Sequence, residues 1–225
     1  MSATSISRAR RYDLIVFDWD GTLFDSTALI VRSIQAACRD IGVPAPSDES
    51  AAYVIGLGLH DALQHAVPGL APQRYPELDR RFRVHYFKDQ HDITLFAGVP
   101  DMLQALRQRH HWLAVATGKG RQGLNEALQL SGLGPLFDAT RTADETASKP
   151  HPRMLQELMR EFGVEPERTL MIGDTTHDLQ LAANAGTHAV AVTYGAHEPR
   201  QLLDHGPLHV ADSVAALHTW LQHNA

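Results

Sequence analysis

The chain has 225 residues, of which 44% are hydrophobic and 20% charged, with a formal net charge of −6. That length supports one large domain or a core carrying a small second one, and the acidic balance excludes a protein that holds nucleic acid on a basic surface. The single cysteine, Cys38, excludes an intrachain disulfide and a cysteine-rich metal site, and with no apolar run of about 18 residues no membrane span is expected.

Met1 to Arg11 carries Arg8, Arg10 and Arg11 with no apolar segment behind them. It reads as a short frayed tail rather than a secretory signal, which points to the cytoplasm. Leu14 to Phe17 is an uninterrupted apolar run, the mark of a strand buried on both faces of a parallel sheet. It leads into Asp18-Trp19-Asp20-Gly21-Thr22. If strand geometry holds through Trp19, Asp18 and Asp20 share a face at the carboxyl end of the strand, where such sheets bind ligands. The same word also reads as a turn with two solvated acids, and the rest of the chain decides.

Ile30, Ile34, Ala37 and Ile41 then recur at helical spacing, with Cys38 as a buried thiol and Gly42 as a stop. Pro44 and Pro46 break the chain, and Ser47 caps a short helix through Ile55. Gly56-Leu57-Gly58-Leu59 is a flexible joint before a helix from His60 to Val67. Pro76 opens another helix, carrying Leu78, Phe82 and Phe87, with Arg74, Arg80, Arg81 and Arg83 read mainly as its exposed face. Helices and no strand are expected from about 25 to 92, as a small bundle inserted in something else.

Leu95 to Val99 reads as the return crossing, and Pro100 opens a helix with Met102, Leu103 and Leu106. His111 to Ala116 is a second buried strand ending in Thr117-Gly118-Lys119-Gly120, followed by a helix with Leu124, Leu128 and Leu130 that Gly132 stops. Phe137 to Thr142 is a short strand, and Ser148-Lys149-Pro150 is a polar loop before a helix with Met154, Leu155, Leu158 and Phe162. Thr169 to Gly173 is a third clear strand, ending in Asp174. Asp178 lies in the opening of the next helix, which Gly186 stops; His188 to Thr193 and a weak strand near Leu208 to Val210 complete the pattern. Strands alternating with helices predict a right-handed, mostly parallel, doubly wound α/β sheet.

Four polar sites stand at predicted strand ends or in loops beside them: Asp18/Asp20, Thr117-Gly118, Lys149, and Asp174/Asp178. In a doubly wound sheet these ends converge on one crevice. Carboxylates without a His or Cys partner favour a hard cation such as magnesium. A hydroxyl, backbone amides and a lysine suit phosphoryl oxygens, and charge stabilisation of this kind is the principal work of phosphoryl transfer.

The order D-x-D-G-T, hydrophobic strand with Thr-Gly, Lys-Pro, and G-D-x-x-x-D resembles the haloacid dehalogenase-like hydrolase superfamily, in its phosphoglycolate-phosphatase-like branch with a helical cap. Phe24-Asp25-Ser26, Gly56-Leu57-Gly58, Lys149-Pro150-His151-Pro152 and Ala182-Ala183-Asn184-Ala185-Gly186 look like that branch too, and the resemblance runs from Tyr12 to about Ala216. It implies a Rossmann-like core over 1–24 and 93–225 and a cap over 25–92. It also implies that Asp18 is a nucleophile forming an aspartyl-phosphate and that Asp20 is a general acid and then a general base. The resemblance further implies that magnesium is held by Asp18, the backbone carbonyl of Asp20 and Asp174, with Asp178 a further metal-side carboxylate. It implies likewise that Thr117 and Gly118 grip the phosphate, and that Lys149 pairs with Asp18 and the transferred group. Dehalogenase members lack an acid at the position of Asp20, because a halide leaves without a proton; Asp20 therefore favours phosphate esters.

The implied function is a magnesium-dependent phosphatase acting on a small phosphorylated metabolite, with no nucleic-acid or membrane partner; phosphoglycolate as that metabolite would require one of Arg74, Arg80, Arg81 and Arg83 to reach its carboxylate. A β-phosphoglucomutase-like isomerase and a non-catalytic binding module on the same fold are the rivals, and a monomer or a homodimer suits the sequence equally. Hinges near Phe24-Asp25 and Ala97-Gly98 are expected to let the cap close, with Gly56 to Leu59 facing the substrate. Among the fourteen histidines, His110-His111, His85/His91 and His205/His209 show no paired carboxylate or metal spacing and read as solvated, while His177 reads as a spacer.

Overall fold

The computed structural model describes residues 10–90 and 93–225. The tail expected over Met1 to Arg11 falls almost wholly outside the described residues, as do His91 and Asp92. Six strands, β1 (Leu14–Phe17), β2 (Trp112–Thr117), β3 (Ala139–Thr142), β4 (Thr169–Gly173), β5 (His188–Val192) and β6 (His209–Ala211), form one sheet in the order β3-β2-β1-β4-β5-β6. Every pairing is parallel; β1 sits centrally, with Val16 opposite Ala114 on one side and Met171 on the other. The strand order reverses between β1 and β4, the place where a crevice opens at the carboxyl ends of a doubly wound sheet.

Alternation along β1 divides the core between two faces. Ile15 and Phe17 enter an apolar cluster with helices α5 (Val99–Gln108) and α10 (Val214–Asn224), through Met102, Leu106, Leu217 and Leu221. Leu14 and Val16 enter another with α7 (Arg153–Phe162) and α8 (Thr176–Ala185), through Leu155, Leu158 and Leu181. The crossover helix α6 (Arg121–Ser131) packs on the first face through Leu124 and Ala127 and stops at Gly132, in the left-handed region at φ 69°; Leu130 of that helix is exposed. A short helix α9 (Pro199–Leu203) precedes β6.

Between β1 and α5 the chain forms α1 (Thr27–Asp40), α2 (Asp48–Tyr53), α3 (Leu59–Ala66) and α4 (Tyr75–Asp89), with no strand among the described residues. Ser47 caps α2 by accepting from the Ser50 amide at 3.1 Å. Ile34, Ala37, Cys38, Leu63 and Leu78 form an apolar cluster of their own, separate from those on the sheet. The two connections to this helical segment run side by side: Phe24 bridges Leu95, and Asp25 and Phe96 bond to Thr94 and Leu23.

Candidate active site

The ladder of β1 ends at Phe17, earlier than the strand geometry considered for Asp18 to Asp20, yet the alternation persists: Trp19 joins Ile15 and Phe17 in their core cluster. Asp18 and Asp20 both line one cavity at the strand end, but they engage different partners. Asp18 is 1% exposed, and Lys149, at 2%, places its Nζ 2.7 Å from Asp18 Oδ1 and 2.6 Å from Asp178 Oδ1. Asp178 is held by a capping box at the start of α8: its Oδ2 accepts from the Thr175 amide at 3.1 Å and the Thr175 hydroxyl at 2.7 Å. Asp174, at the end of β4, accepts from the Thr22 hydroxyl at 2.6 Å and the Ala196 amide at 2.7 Å. Gly21 explains itself here: φ is +84°, and a Cβ would fall 2.1 Å from Asp174 Oδ2.

These groups carry three buried carboxylates against one ammonium. Burial pushes the Asp18 carboxyl well above the ordinary range; Lys149 offsets part of that, and Asp178 and Asp174 add to it. Burial, then the charge of Asp178, pushes Asp174 up to about 7. Burial works against the charge on Lys149, but Asp178 and Asp18 outweigh it and hold it raised. Ligand oxygens of Asp18, Asp174 and Asp178 lie within 4.8 Å of one another, and Asp18 Oδ2 is buried with no hydrogen-bond partner. An oxygen-only donor set with an excess of negative charge fits a hard divalent cation.

Asp20 faces the other side of the cavity. Its Oδ1 accepts from the Ser26 hydroxyl at 2.6 Å, and Lys119 Nζ lies 2.9 and 3.1 Å from its two oxygens. The same Nζ reaches Tyr86 Oη of α4 at 2.7 Å, so this lysine ties the sheet to the helical segment. Thr117 is buried, and its hydroxyl accepts from the Lys119 amide at 3.2 Å. Gly118 lets the backbone of the helical segment come close: a Cβ there would fall 2.3 Å from the Leu57 carbonyl. On the other flank of that loop, the Gly58 amide donates to Ser148 Oγ at 2.9 Å.

A model of the family described as haloacid dehalogenase-like hydrolase matches residues 15–192. The chain belongs to that family. It is 34% identical over 219 residues to a Dickeya dadantii protein named "Probable phosphatase IndB", covering 93% of this chain and 95% of that one. It is 33% identical over 213 residues to a phosphoglycolate phosphatase of Aliivibrio fischeri, covering 91% and 94%. A crystal structure described as a predicted phosphoglycolate phosphatase of Haemophilus somnus superposes with a TM-score of 0.84 at 29% identity, covering 93% of this chain and 97% of the other.

Several residues of this haloacid dehalogenase-like hydrolase that hold the site together carry no signal in the linear pattern. Lys119 lies in the stretch Thr117-Gly118-Lys119-Gly120, but its partners Asp20 and Tyr86 are far from it in sequence. His177, expected as a spacer, is buried, and its Nε2 lies 2.9 Å from the Tyr53 carbonyl. His197 Nε2 meets the same carbonyl at 2.9 Å and its ring stacks on Tyr53, while its Nδ1 accepts from the Thr176 amide at 3.0 Å. Two imidazoles therefore clasp the end of α2 to α8. His111 is buried rather than solvated, its Nδ1 2.8 Å from the Tyr12 carbonyl. His85 does have a carboxylate partner, Asp40 at 2.9 Å, brought to it by the packing of α1 on α4.

Proposed function

We propose that this chain is a magnesium-dependent phosphatase that hydrolyses small phosphate monoesters, of the phosphoglycolate-phosphatase kind, through an aspartyl-phosphate on Asp18. The observation that carries this reading is the unpartnered, fully buried Oδ2 of Asp18, beside a lysine that holds the other oxygen. One carboxylate oxygen is oriented and the other left to attack.

Asp18 and Asp174 would hold the magnesium with the backbone carbonyl of Asp20, and the ion when bound supplies charge neutralisation that lets an anion approach a phosphate dianion. Asp178, whose two oxygens are taken by Lys149 and Thr175, acts beside the metal by fixing the lysine. In the first step the bond from Asp18 Oδ2 to phosphorus forms, the ester P–O bond breaks, and Asp20 gives its proton to the departing alkoxide. In the second, Asp20 takes a proton from water, whose oxygen bonds to phosphorus as the bond from phosphorus to Asp18 breaks, which gives inorganic phosphate and the free Asp18 carboxylate. Thr117 and the Gly118 amide hold the phosphoryl oxygens, and Lys149 neutralises them.

Residues 25–92 act as a cap over this site, hinged near Phe24-Asp25 and Ala97-Gly98. The separate apolar cluster of the helical segment and the paired crossings at Phe24 and Leu95 support that division. The close approach of the Leu57 carbonyl to Gly118 supports a closed position of this cap, in which bulk water is excluded. Phosphate release from a panel of small esters, with and without magnesium, tests the reading. Asp18→Asn should abolish release while the far-ultraviolet dichroism stays unchanged, and retained release rejects Asp18 as nucleophile.

A further inference from the structure

The cavity that reaches Asp18 and Asp20 has a volume of about 100 Å³ and is roofed by the helical segment. Its roof is apolar: Ile30, Ile34, Leu57, Leu59, Phe82 and Phe87 all line it. Phe82 stacks on Tyr86 with ring centroids 5.7 Å apart, and Tyr86 meets Phe87 edge-on at 5.8 Å, so one wall is a run of three aromatic rings. Among the described residues two cations line the cavity, Lys119 and Arg83, and both already have a counter-charge. Lys119 is engaged by both oxygens of Asp20. Arg83 pairs with Asp79 one turn earlier on α4 and turns much of its side chain to solvent. Lys149, behind them, is shared between Asp18 and Asp178.

A leaving group that carried its own carboxylate would enter this space with no unmatched cation to meet it. Taking a carboxylate out of water without a partner is costly, and an apolar wall repays none of that cost. A neutral group with an apolar or aromatic face would instead exchange water for contact with the rings. We infer that the preferred substrates are phosphate monoesters of neutral alcohols bearing an apolar or aromatic face, and that 2-phosphoglycolate itself is a poor one. This rests on the phosphatase reading above and narrows it: the relatives' name would then describe the reaction more closely than the substrate.

The test compares kcat/KM, with magnesium present, for 2-phosphoglycolate, its neutral amide 2-phosphoglycolamide, and benzyl phosphate. The amide keeps the size and nearly the reactivity of the acid, so their ratio reports the charge alone. The expected result is at least tenfold in favour of the amide, with benzyl phosphate equal to it or better. Arg83→Ala should leave that ratio unchanged, and Phe82→Arg or Leu59→Arg should shift it toward the acid. A ratio of one, or a preference for 2-phosphoglycolate, overturns the inference while leaving the phosphatase intact; a preference that Arg83→Ala abolishes shows that this arginine leaves Asp79 to serve the substrate. Release of phosphate from none of the three overturns the phosphatase reading, and the inference with it.

Discussion

The floor and the roof of the cavity are built from opposite materials. The floor is dense in charge: Asp18, Lys149, Asp174 and Asp178 are all buried, with Lys149 donating to Asp18 and Asp178, Thr22 to Asp174 and Thr175 to Asp178. The roof is a set of helix faces whose polar atoms mostly look elsewhere. Charge buried at the end of a sheet is expensive, and it persists only where neighbouring dipoles and counter-ions are fixed. Helix faces carry no such requirement and tolerate exchange. The difference supports the proposal that the reaction resides in the floor and selection in the roof.

The largest break in that comparison comes from Lys149→Met. It leaves three buried carboxylates without their ammonium, and we expect phosphate release to disappear and stability to fall by about 3–5 kcal/mol in denaturant titration. Gly21→Ala strikes the floor without changing a charge. The added methyl displaces Asp174, and kcat should fall about 100-fold with KM much less affected.

Magnesium should act on the floor alone and in a pH-dependent way. Asp174 has its native pKa raised to about 7 by burial and by Asp178, above its ordinary unfolded value. Without metal the native state then holds a proton that the unfolded chain has lost, so stability declines as pH rises from about 4 to about 7. The rise in Tm on adding magnesium should therefore be greater at pH 8 than at pH 5, and a pH-independent rise would separate Asp174 from the ion. The smallest expected effect lies where roof meets floor. Tyr86→Phe removes one acceptor of Lys119 and keeps the ring, and we expect less than about a tenfold loss of kcat/KM. A loss as large as that of Gly21→Ala would erase the division between the two regions.

Much of the floor could be read from the chain because its residues sit beside strong local signals. Asp18 ends an apolar run, Asp174 ends another, and both runs are central strands whose ends must meet in a doubly wound sheet. Lys149 was readable from its place in the family-like word with Pro150. Lys119 was not, since its partners lie on β1's exit loop and on α4, and no spacing along the chain predicts that meeting. The clasp of His177 and His197 on the Tyr53 carbonyl was equally hidden, because a main-chain acceptor has no residue type to recognise.

The sequence by itself determined the alternation of strand and helix, the helical insertion after the first strand, and the acids at the strand ends. Periodicity and punctuation are local properties, and a handful of neighbouring residues suffice to express them. Only the tertiary structure decided that Lys119 serves Asp20 and that Asp178 shares Lys149 with Asp18, which oxygen of Asp18 is left free, and what the roof shows to a substrate. Those depend on distances between segments that are remote along the chain, and packing alone sets them.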